Sequence, residues 1–275
     1  MEIIHESTLY AEPLYQIGSF QITNALFTSW IAIVIIIIIS IILRKKLQEI
    51  PRGFQNFFEI ILDGALSLCD LITGNRKTTN KVFPLAISVF FFVLVNNWLG
   101  ILPFGGFGLV ETIHEKYFFI PFIRSGTADI NTTLALSLMA VIGANIFGIV
   151  SIGIWKMFNK YVNLKAIGGI PGKIKADPMV LVVAPVTFFV GLLELVGEFA
   201  KVASLSFRLF GNIFAGEVLL LSMSALLAYG LPIPFLFLEI FVGVIQAFIF
   251  AVLILLYFSI ASQDHSENEE HKESS

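Results

Sequence analysis

The chain has 275 residues, of which 57% are hydrophobic and only 13% are charged. Soluble domains carry about 25% charged residues, so this composition excludes an ordinary soluble domain and indicates a protein that crosses the membrane several times. The net charge of −3 favours no particular partner, and the single cysteine, Cys69, excludes an internal disulfide and a Cys-x-x-Cys site.

The first predicted span, residues 25–43, contains 19 uncharged residues, enough to cross a hydrocarbon core of about 30 Å. A basic run at 44–46 follows it directly, which predicts that this end is cytoplasmic and that residues 1–24 form an external segment. Residues 51–74 place their apolar side chains on one side of a helix. Such a segment is expected to lie along the interface, or to pack on other helices, rather than to span.

Two further spans are predicted at residues 82–102 and 130–155. Twelve of the seventeen lysines and arginines fall within residues 44–81 and 156–175, the two regions that these spans place in the cytoplasm. The loop between the two spans holds only two basic residues, Lys116 and Arg124. The basic residues therefore predict an external N-terminus and a consistent topology for the first three spans.

Two long helices are predicted to follow. The apolar pattern of residues 178–228 has no turn signal, and a straight helix of that length would measure about 75 Å. We expect one long tilted helix there, with two spans joined at a hidden break as the alternative. A proline-rich turn at 231–234 precedes a return helix at 235–260, and residues 262–275 form an acidic cytoplasmic tail.

The predicted fold is all-α and polytopic. About five membrane-embedded helices and one interfacial amphipathic helix form a single membrane domain, residues 1–275, and the last two helices form a long tilted hairpin. Two helix starts carry capping signals: Asp129 or Asn131 before the third span, and Asp177 followed by Pro178 before the long helix.

Charged and amide side chains interrupt the apolar pattern of the last two helices. Five on the long helix share one face because their spacing matches whole helical turns: Glu194, Glu198, Lys201, Arg208 and Asn212. Glu217 lies about 2.5 turns after Arg208, so it faces the other way and sits roughly 13 Å further along the axis. On the return helix, Glu239 and Gln246 share a face about 10 Å apart.

Some of these charges have a structural explanation. Glu198 and Lys201 could form a self-neutralising pair, Glu194 could extend to the cytoplasmic interface, and Glu239 could be solvated near the external end. Arg208 has no acidic residue three or four positions away, and inserting an arginine at mid-membrane costs roughly 2.5–3.5 kcal/mol. An ion pair with another helix is the weaker explanation of Arg208, and we predict a functional role.

The chemistry of these side chains suggests what that role is. Arginine stays protonated, so Arg208 cannot relay a proton, but it can attract a carboxylate that arrives beside it. Glutamates in a polar track can relay protons through the membrane. A fixed cation between two acid-lined tracks is the arrangement of a gate that prevents protons from leaking straight through.

Around these residues the sequence resembles subunit a of the F-type ATP synthase, bacterial type. The resemblance covers most of the chain and rests on "NNWLGILP" (96–103), "TADINTTLALS" (127–137), "RLFGNIFAGE" (208–217), "IQAFIF" (245–250) and "YFSIAS" (257–262). It implies that Arg208 is the essential arginine facing the c-ring carboxylate, with Asn212 and Gln246 as polar partners. It also implies that Glu217 and Glu239 belong to an external half-channel.

The same resemblance implies that Glu194 and Ser204 belong to a cytoplasmic half-channel. The implied protein is a non-catalytic proton-channel stator in a bacterial plasma membrane, multi-pass, with an external N-terminus and a cytoplasmic C-terminus. Its implied partners are the c-subunit ring, the peripheral-stalk b subunits, the rest of the ATP synthase and the lipid bilayer; no cofactor, metal or nucleic acid is implied. Some relatives carry a histidine in the external pair, whereas both residues are glutamate here.

Two other classes of protein remain as alternatives. An ion-coupled secondary transporter also uses intramembrane carboxylates, although it is expected to show repeated halves and a substrate-sized pocket at the midplane. A membrane-embedded enzyme is a weaker alternative, because the sequence has no HExxH or GxSxG motif. The choice between H⁺ and Na⁺ depends largely on the c-subunit site.

Overall fold

The computed structural model describes residues 3–4, 10–45, 48, 53–102, 108–113, 116–155, 157, 180–227 and 230–262. Six long α-helices dominate this part of the chain: α1 (Asn24–Lys45), α2 (Phe54–Thr73), α3 (Arg76–Ile101), α4 (Ile130–Ile152), α5 (Val180–Leu226) and α6 (Pro232–Ser262). Among the described residues, all of these except α2 are long and apolar enough to span a membrane. The predicted all-α polytopic class is thereby confirmed.

Helix α2 is the amphipathic element that the sequence predicts between the first two spans. Cys69 on its apolar side is buried, with 4% of its surface exposed. Burial, and to a lesser degree the charge of Asp70, raises the pKa of the Cys69 thiol. The helix ends at Gly74, which has a φ of 64° and donates its amide to the Asp70 carbonyl at 2.9 Å. Glycine tolerates this left-handed conformation, so the chain turns at once into α3.

The long apolar pattern forms one continuous helix over the described residues, α5. Asp177 and Pro178, proposed to begin it, lie outside the described residues, as does the acidic tail from 263 onward. At the start of α4, Asp129 Oδ1 accepts a hydrogen bond from the Asn131 amide at 3.3 Å. Of the two residues considered for this cap, Asp129 therefore makes the contact.

Within the described ranges, five short strands accompany the helices. β2 (Pro13–Ile17) and β3 (Phe20–Thr23) form an antiparallel hairpin directly before α1. β1 (Ile3–Ile4), β4 (Gly108–Ile113) and β5 (Lys116–Pro121) form a sheet in which β5 is central, parallel to β1 and antiparallel to β4. The sequence predicts an external segment and a loop in these regions and no strand, because strands of two to six residues carry little periodic signal.

The chain divides into two compact units. The first comprises Met1–Leu136 and Leu205–Leu255, and the second comprises Ser137–Ser204 and Leu256–Ser275. In the first unit a buried polar layer joins α1, α3 and a short 3₁₀ helix, Gly126–Ala128. Ser29 Oγ donates to Asn96 Oδ1 at 3.2 Å within this layer. A Cβ atom at Gly126 would overlap both of these oxygens, so glycine permits the close approach.

Candidate functional site

Helix α5 presents two different sides within the first unit. Leu205, Leu209 and Ile213, spaced by whole turns, are almost fully buried against the rest of the unit. Between them lie the exposed residues that we call the outer face: Phe207, Arg208, Gly211, Asn212 and Ala215. Arg208 therefore lies on a surface of the chain in the middle of a spanning helix, where a guanidinium is costly against lipid. In the membrane this surface suits contact with a polar group of another subunit.

An amide pair beside Arg208 joins α5 to α6. Asn212 Nδ2 donates to Gln246 Oε1 at 2.8 Å. Gln246 is 2% exposed, and within the described part of the chain its Nε2 has no hydrogen-bond partner. A buried donor without an acceptor costs about 1–3 kcal/mol, so this amide is poorly explained by stability alone. It supplies a hydrogen-bond donor close to the outer face.

Glu217 is held by an arginine from the segment that follows β5. Arg124 Nε and Nη2 each lie 3.1 Å from Glu217 Oε2, and the arginine side chain is 8% exposed. Arg124 Nη1 also donates to the backbone oxygen of Tyr10 at 2.9 Å. Charge-assisted hydrogen bonds of this kind are stronger than neutral ones. The counter-ion of Glu217 is therefore Arg124, and Glu217 does not pair with Arg208 within the helix.

Glu239 on α6 lies directly beside this pair. It is buried, and a Cβ atom added at Gly216 would overlap its carboxyl group. The negative charge of Glu217 acts electrostatically on Glu239. The absence of a side chain at Gly216 thus allows the Glu239 carboxyl to approach the backbone of α5 next to Glu217.

Asn97 holds the turn of α6 that follows Glu239. Its Nδ2 donates to the Gly243 carbonyl at 3.1 Å, and its Oδ1 accepts from Thr127 Oγ1 at 2.5 Å. Thr127 is in turn hydrogen bonded to Ser125 at 2.8 Å, next to Arg124 in the chain. The loop that supplies Arg124 and the helix that supplies Glu239 are therefore fixed by the same buried amide.

The second unit contains the remaining predicted site residues. Glu194 is half-buried and Ser204 is exposed. Glu198 and Lys201 form the expected pair, with Lys201 Nζ 2.7 Å from Glu198 Oε1. Asn145 on α4 donates to the other oxygen, Glu198 Oε2, at 3.1 Å. The pair is therefore also bound from a second helix.

Comparison with known proteins identifies the family. The family described as "ATP synthase A chain" matches residues 26–259. The chain belongs to this family. It is 33% identical over 245 residues to the protein named ATP synthase subunit a from Syntrophobacter fumaroxidans (strain DSM 10017 / MPOB), an alignment that covers 88% of this chain and 85% of the relative. As a member of the ATP synthase A chain family, it is a multi-pass membrane protein and an ion-translocating component rather than a catalytic one.

The resemblance stated from the sequence is confirmed, and the structure places its residues in separate groups. Asn212 and Gln246 are in contact, and Glu239 lies beside Gly216, which precedes Glu217 in the chain. Arg208 lies on the outer face, whereas Glu217 points to the buried Arg124. Glu239, for which solvation was an alternative, is buried.

Arg124 is the site residue that sequence reasoning missed. In the sequence it stands out only as one of two basic residues of a loop. Its pairing with Glu217 joins positions 93 residues apart, and no helical spacing encodes such a contact. The available signal was an arginine placed shortly before the predicted third span, in a loop otherwise poor in basic residues.

Proposed function

We propose that this member of the ATP synthase A chain family is the proton-channel stator that works against the c-subunit ring. The observation that supports this function most directly is the separation of the charged residues. Arg208 lies on the exposed outer face, whereas Glu217 and Glu239 lie on the buried side with Arg124. An arginine exposed at mid-membrane suits a partner carboxylate on another subunit. A buried acidic pair suits a proton path that ends short of that arginine.

In the proposed cycle a proton enters from outside through Glu239 and Glu217 and neutralises a c-subunit carboxylate. The neutral site then rotates into the lipid, where an ionised carboxylate would be unstable. Another site that returns to the stator loses its proton to the cytoplasmic half-channel, to which Glu194 and Ser204 are assigned. Arg208 holds the ionised carboxylate at that moment and blocks a direct leak, with Asn212 and Gln246 as hydrogen-bonding neighbours.

The proposal includes the setting of the protein. The chain lies in a bacterial plasma membrane, as the resemblance to the bacterial type of the family implies. Its N-terminus is external and its C-terminus cytoplasmic, an orientation that the distribution of lysine and arginine favours. The c ring covers the outer face, and the b subunits of the peripheral stalk bind elsewhere on the chain. An ion-coupled secondary transporter is the competing function, and a substrate-uptake screen in proteoliposomes distinguishes it.

Cysteine cross-linking tests the proposal. Cysteines introduced at the outer-face positions Phe207, Gly211 and Ala215 are expected to cross-link to a small two-helix subunit in native membranes. Leu205 and Leu209, buried on the same helix, are the matched controls and are expected to give no product. Failure to capture a small subunit from the outer face, or equal capture from the buried positions, would contradict the assignment of the c-ring surface.

Substitution of Gly216 tests the external acidic pair. Gly216→Ala places a methyl group where the Glu239 carboxyl now lies, so the flexible carboxyl must move while the helix persists. Because displacing a reacting group by about 1 Å is costly, we expect ATP-driven proton pumping to fall at least about tenfold. The measurement is acidification of inverted vesicles that contain the assembled complex.

The matched control for this substitution is Gly197→Ala. Gly197 lies on the same helix, and a Cβ atom there meets no other atom within 4 Å. Pumping is expected to be unchanged in this variant. Equal pumping by the Gly216 and Gly197 variants would show that the position of Glu239 is unimportant.

A further inference from the structure

The second unit contains a cluster of polar side chains that the proposed cycle leaves without a role. We call Asn145, Glu198, Lys201 and Tyr257 the Glu198 cluster; they come from α4, α5 and α6. Lys201 Nζ lies 2.7 Å from Glu198 Oε1, and Asn145 Nδ2 lies 3.1 Å from Glu198 Oε2. Both oxygens of one carboxylate are therefore engaged, by residues of two helices.

Lys201 is held on its other side by an aromatic ring. Its Nζ lies 5.3 Å from the centroid of the Tyr257 ring, within the range of a cation–π contact. Asn145 is fixed as well, since its Nδ2 also donates to the Val141 carbonyl at 3.0 Å. The side chains of Glu198 and Lys201 are 15% and 33% exposed. The carboxylate is thus held in one orientation and largely withdrawn from the surface.

A small cavity adjoins this carboxylate. It has a volume of about 10 Å³, and the four residues of the Glu198 cluster line it together with apolar side chains. A space of this size is close to the minimum that holds one water molecule, and such a water needs two to four polar partners. Glu198, Lys201 and Asn145 supply them. The cavity therefore fits a water bound directly to an intramembrane carboxylate.

A purely structural pair explains less of this arrangement. Glu198 and Lys201 lie on adjacent turns of α5, and this is sufficient for their charges to neutralise each other. Neutralisation needs no contacts from α4 or α6 and no cavity that fits a water molecule. A buried ion pair is also weak evidence for stability, because apolar residues of similar volume often serve as well or better. Ionisable groups inside a membrane are costly and commonly mark substrate or ion pathways.

We propose that Glu198 is a proton-exchange residue of the cytoplasmic half-channel, fixed by Lys201 and Asn145. In the direction of synthesis, a c-subunit carboxyl releases its proton to the oxygen of the water in the cavity and becomes a carboxylate. The water gives one of its own protons to the Glu198 carboxylate, so the water is unchanged in the step. The neutral carboxyl then returns the proton to water on the cytoplasmic side, and Lys201 stays charged throughout. This inference rests on the proposed stator function and adds a residue to it.

The deciding variant removes the charges while preserving the packing. Glu198→Leu/Lys201→Met replaces the pair by apolar side chains of similar size, and we expect the assembled complex to melt at the same temperature or higher. Proton exchange at a positioned group contributes at least about 100-fold, so ATP-driven pumping in proteoliposomes is expected to fall by about that factor. Undiminished pumping by this double variant would overturn the proposal and leave the pair a structural one.

A single variant covers the case in which the double variant does not assemble. Glu198→Gln keeps the shape of the side chain and one acceptor oxygen, but an amide does not take up a proton as a carboxylate does. We expect the same fall in pumping as in the double variant. Asp63→Asn, at an exposed acidic position on α2, is the matched control and is expected to pump normally. Normal pumping by Glu198→Gln contradicts the proposal.

The failure of this inference is distinguishable from the failure of the stator function. Arg208→Ala is measured in the same proteoliposomes. If Arg208→Ala abolishes pumping while the Glu198 variants pump normally, the stator function stands and Glu198 has no part in it. If Arg208→Ala pumps normally, the stator function itself is wrong.

Discussion

ATP-driven proton pumping is expected to disappear when Arg208 is replaced by alanine. Arg208 lies on the outer face of α5, next to the Asn212–Gln246 amide pair, and its fixed charge is proposed to hold each arriving c-subunit carboxylate. Without that charge, nothing at the stator stabilises the ionised form of the c-subunit carboxyl, so the carboxyl keeps its proton. The positive charge that prevents protons from passing directly between the two half-channels is also lost. We therefore expect pumping in inverted vesicles to be abolished and passive proton conductance of F₁-stripped membranes to rise.

An exchange of side chains is the sharpest control for this substitution. Arg208→Gln/Gln246→Arg moves the cation from α5 to α6. Gln246 accepts a 2.8 Å hydrogen bond from Asn212, which lies one helical turn from Arg208, so the charge remains close to the outer face. Part of the pumping activity is expected to return in this double variant. Normal pumping by Arg208→Ala alone would falsify the role given to Arg208.

Loss of the Arg124 side chain is expected to destabilise the protein strongly. Arg124→Gln leaves the Glu217 carboxylate without the partner that now lies 3.1 Å from its Oε2, and it also releases the Tyr10 carbonyl. Breaking a buried ion pair in this way costs about 3–5 kcal/mol. Thermal unfolding of the purified complex, together with the yield of assembled complex, measures the loss.

Two variants establish the origin of that loss. Arg124→Gln/Glu217→Gln removes the carboxylate as well, so much of the lost stability is expected to return. Pumping is not expected to return, because Glu217 belongs to the proposed proton path. Arg44→Gln changes an exposed arginine at the end of α1 and is expected to shift the free energy of unfolding by no more than about 0.5 kcal/mol. A double variant no more stable than Arg124→Gln would mean that Arg124 acts through Tyr10 rather than through Glu217.

The helices were predictable because a membrane imposes a length and a composition on them. Predominantly apolar runs of spanning length locate α1, α3, α4 and α6, and the one-sided pattern of α2 separates it from the spans. The orientation of Arg208 away from Glu217 also follows from helical spacing alone. These features depend on residues close together in the chain, where the sequence carries the most information.

Contacts between distant segments were not predictable in the same way. Arg124 reaches Glu217 from a loop whose path depends on short strands and on the buried hydrogen bonds of Thr127 and Asn97. The fit of the Glu239 carboxyl against Gly216 likewise depends on how α5 and α6 cross. Neither relation has a period that can be read along the chain, and both require the packed structure.

The burial of Cys69 has a consequence for labelling chemistry. Maleimides and disulfide-forming reagents attack the thiolate, and a buried thiol with a raised pKa exposes little of it. The chain has no other cysteine. We therefore expect an exposed introduced cysteine to be labelled faster than Cys69, so a spectroscopic or cross-linking probe reports chiefly the introduced position.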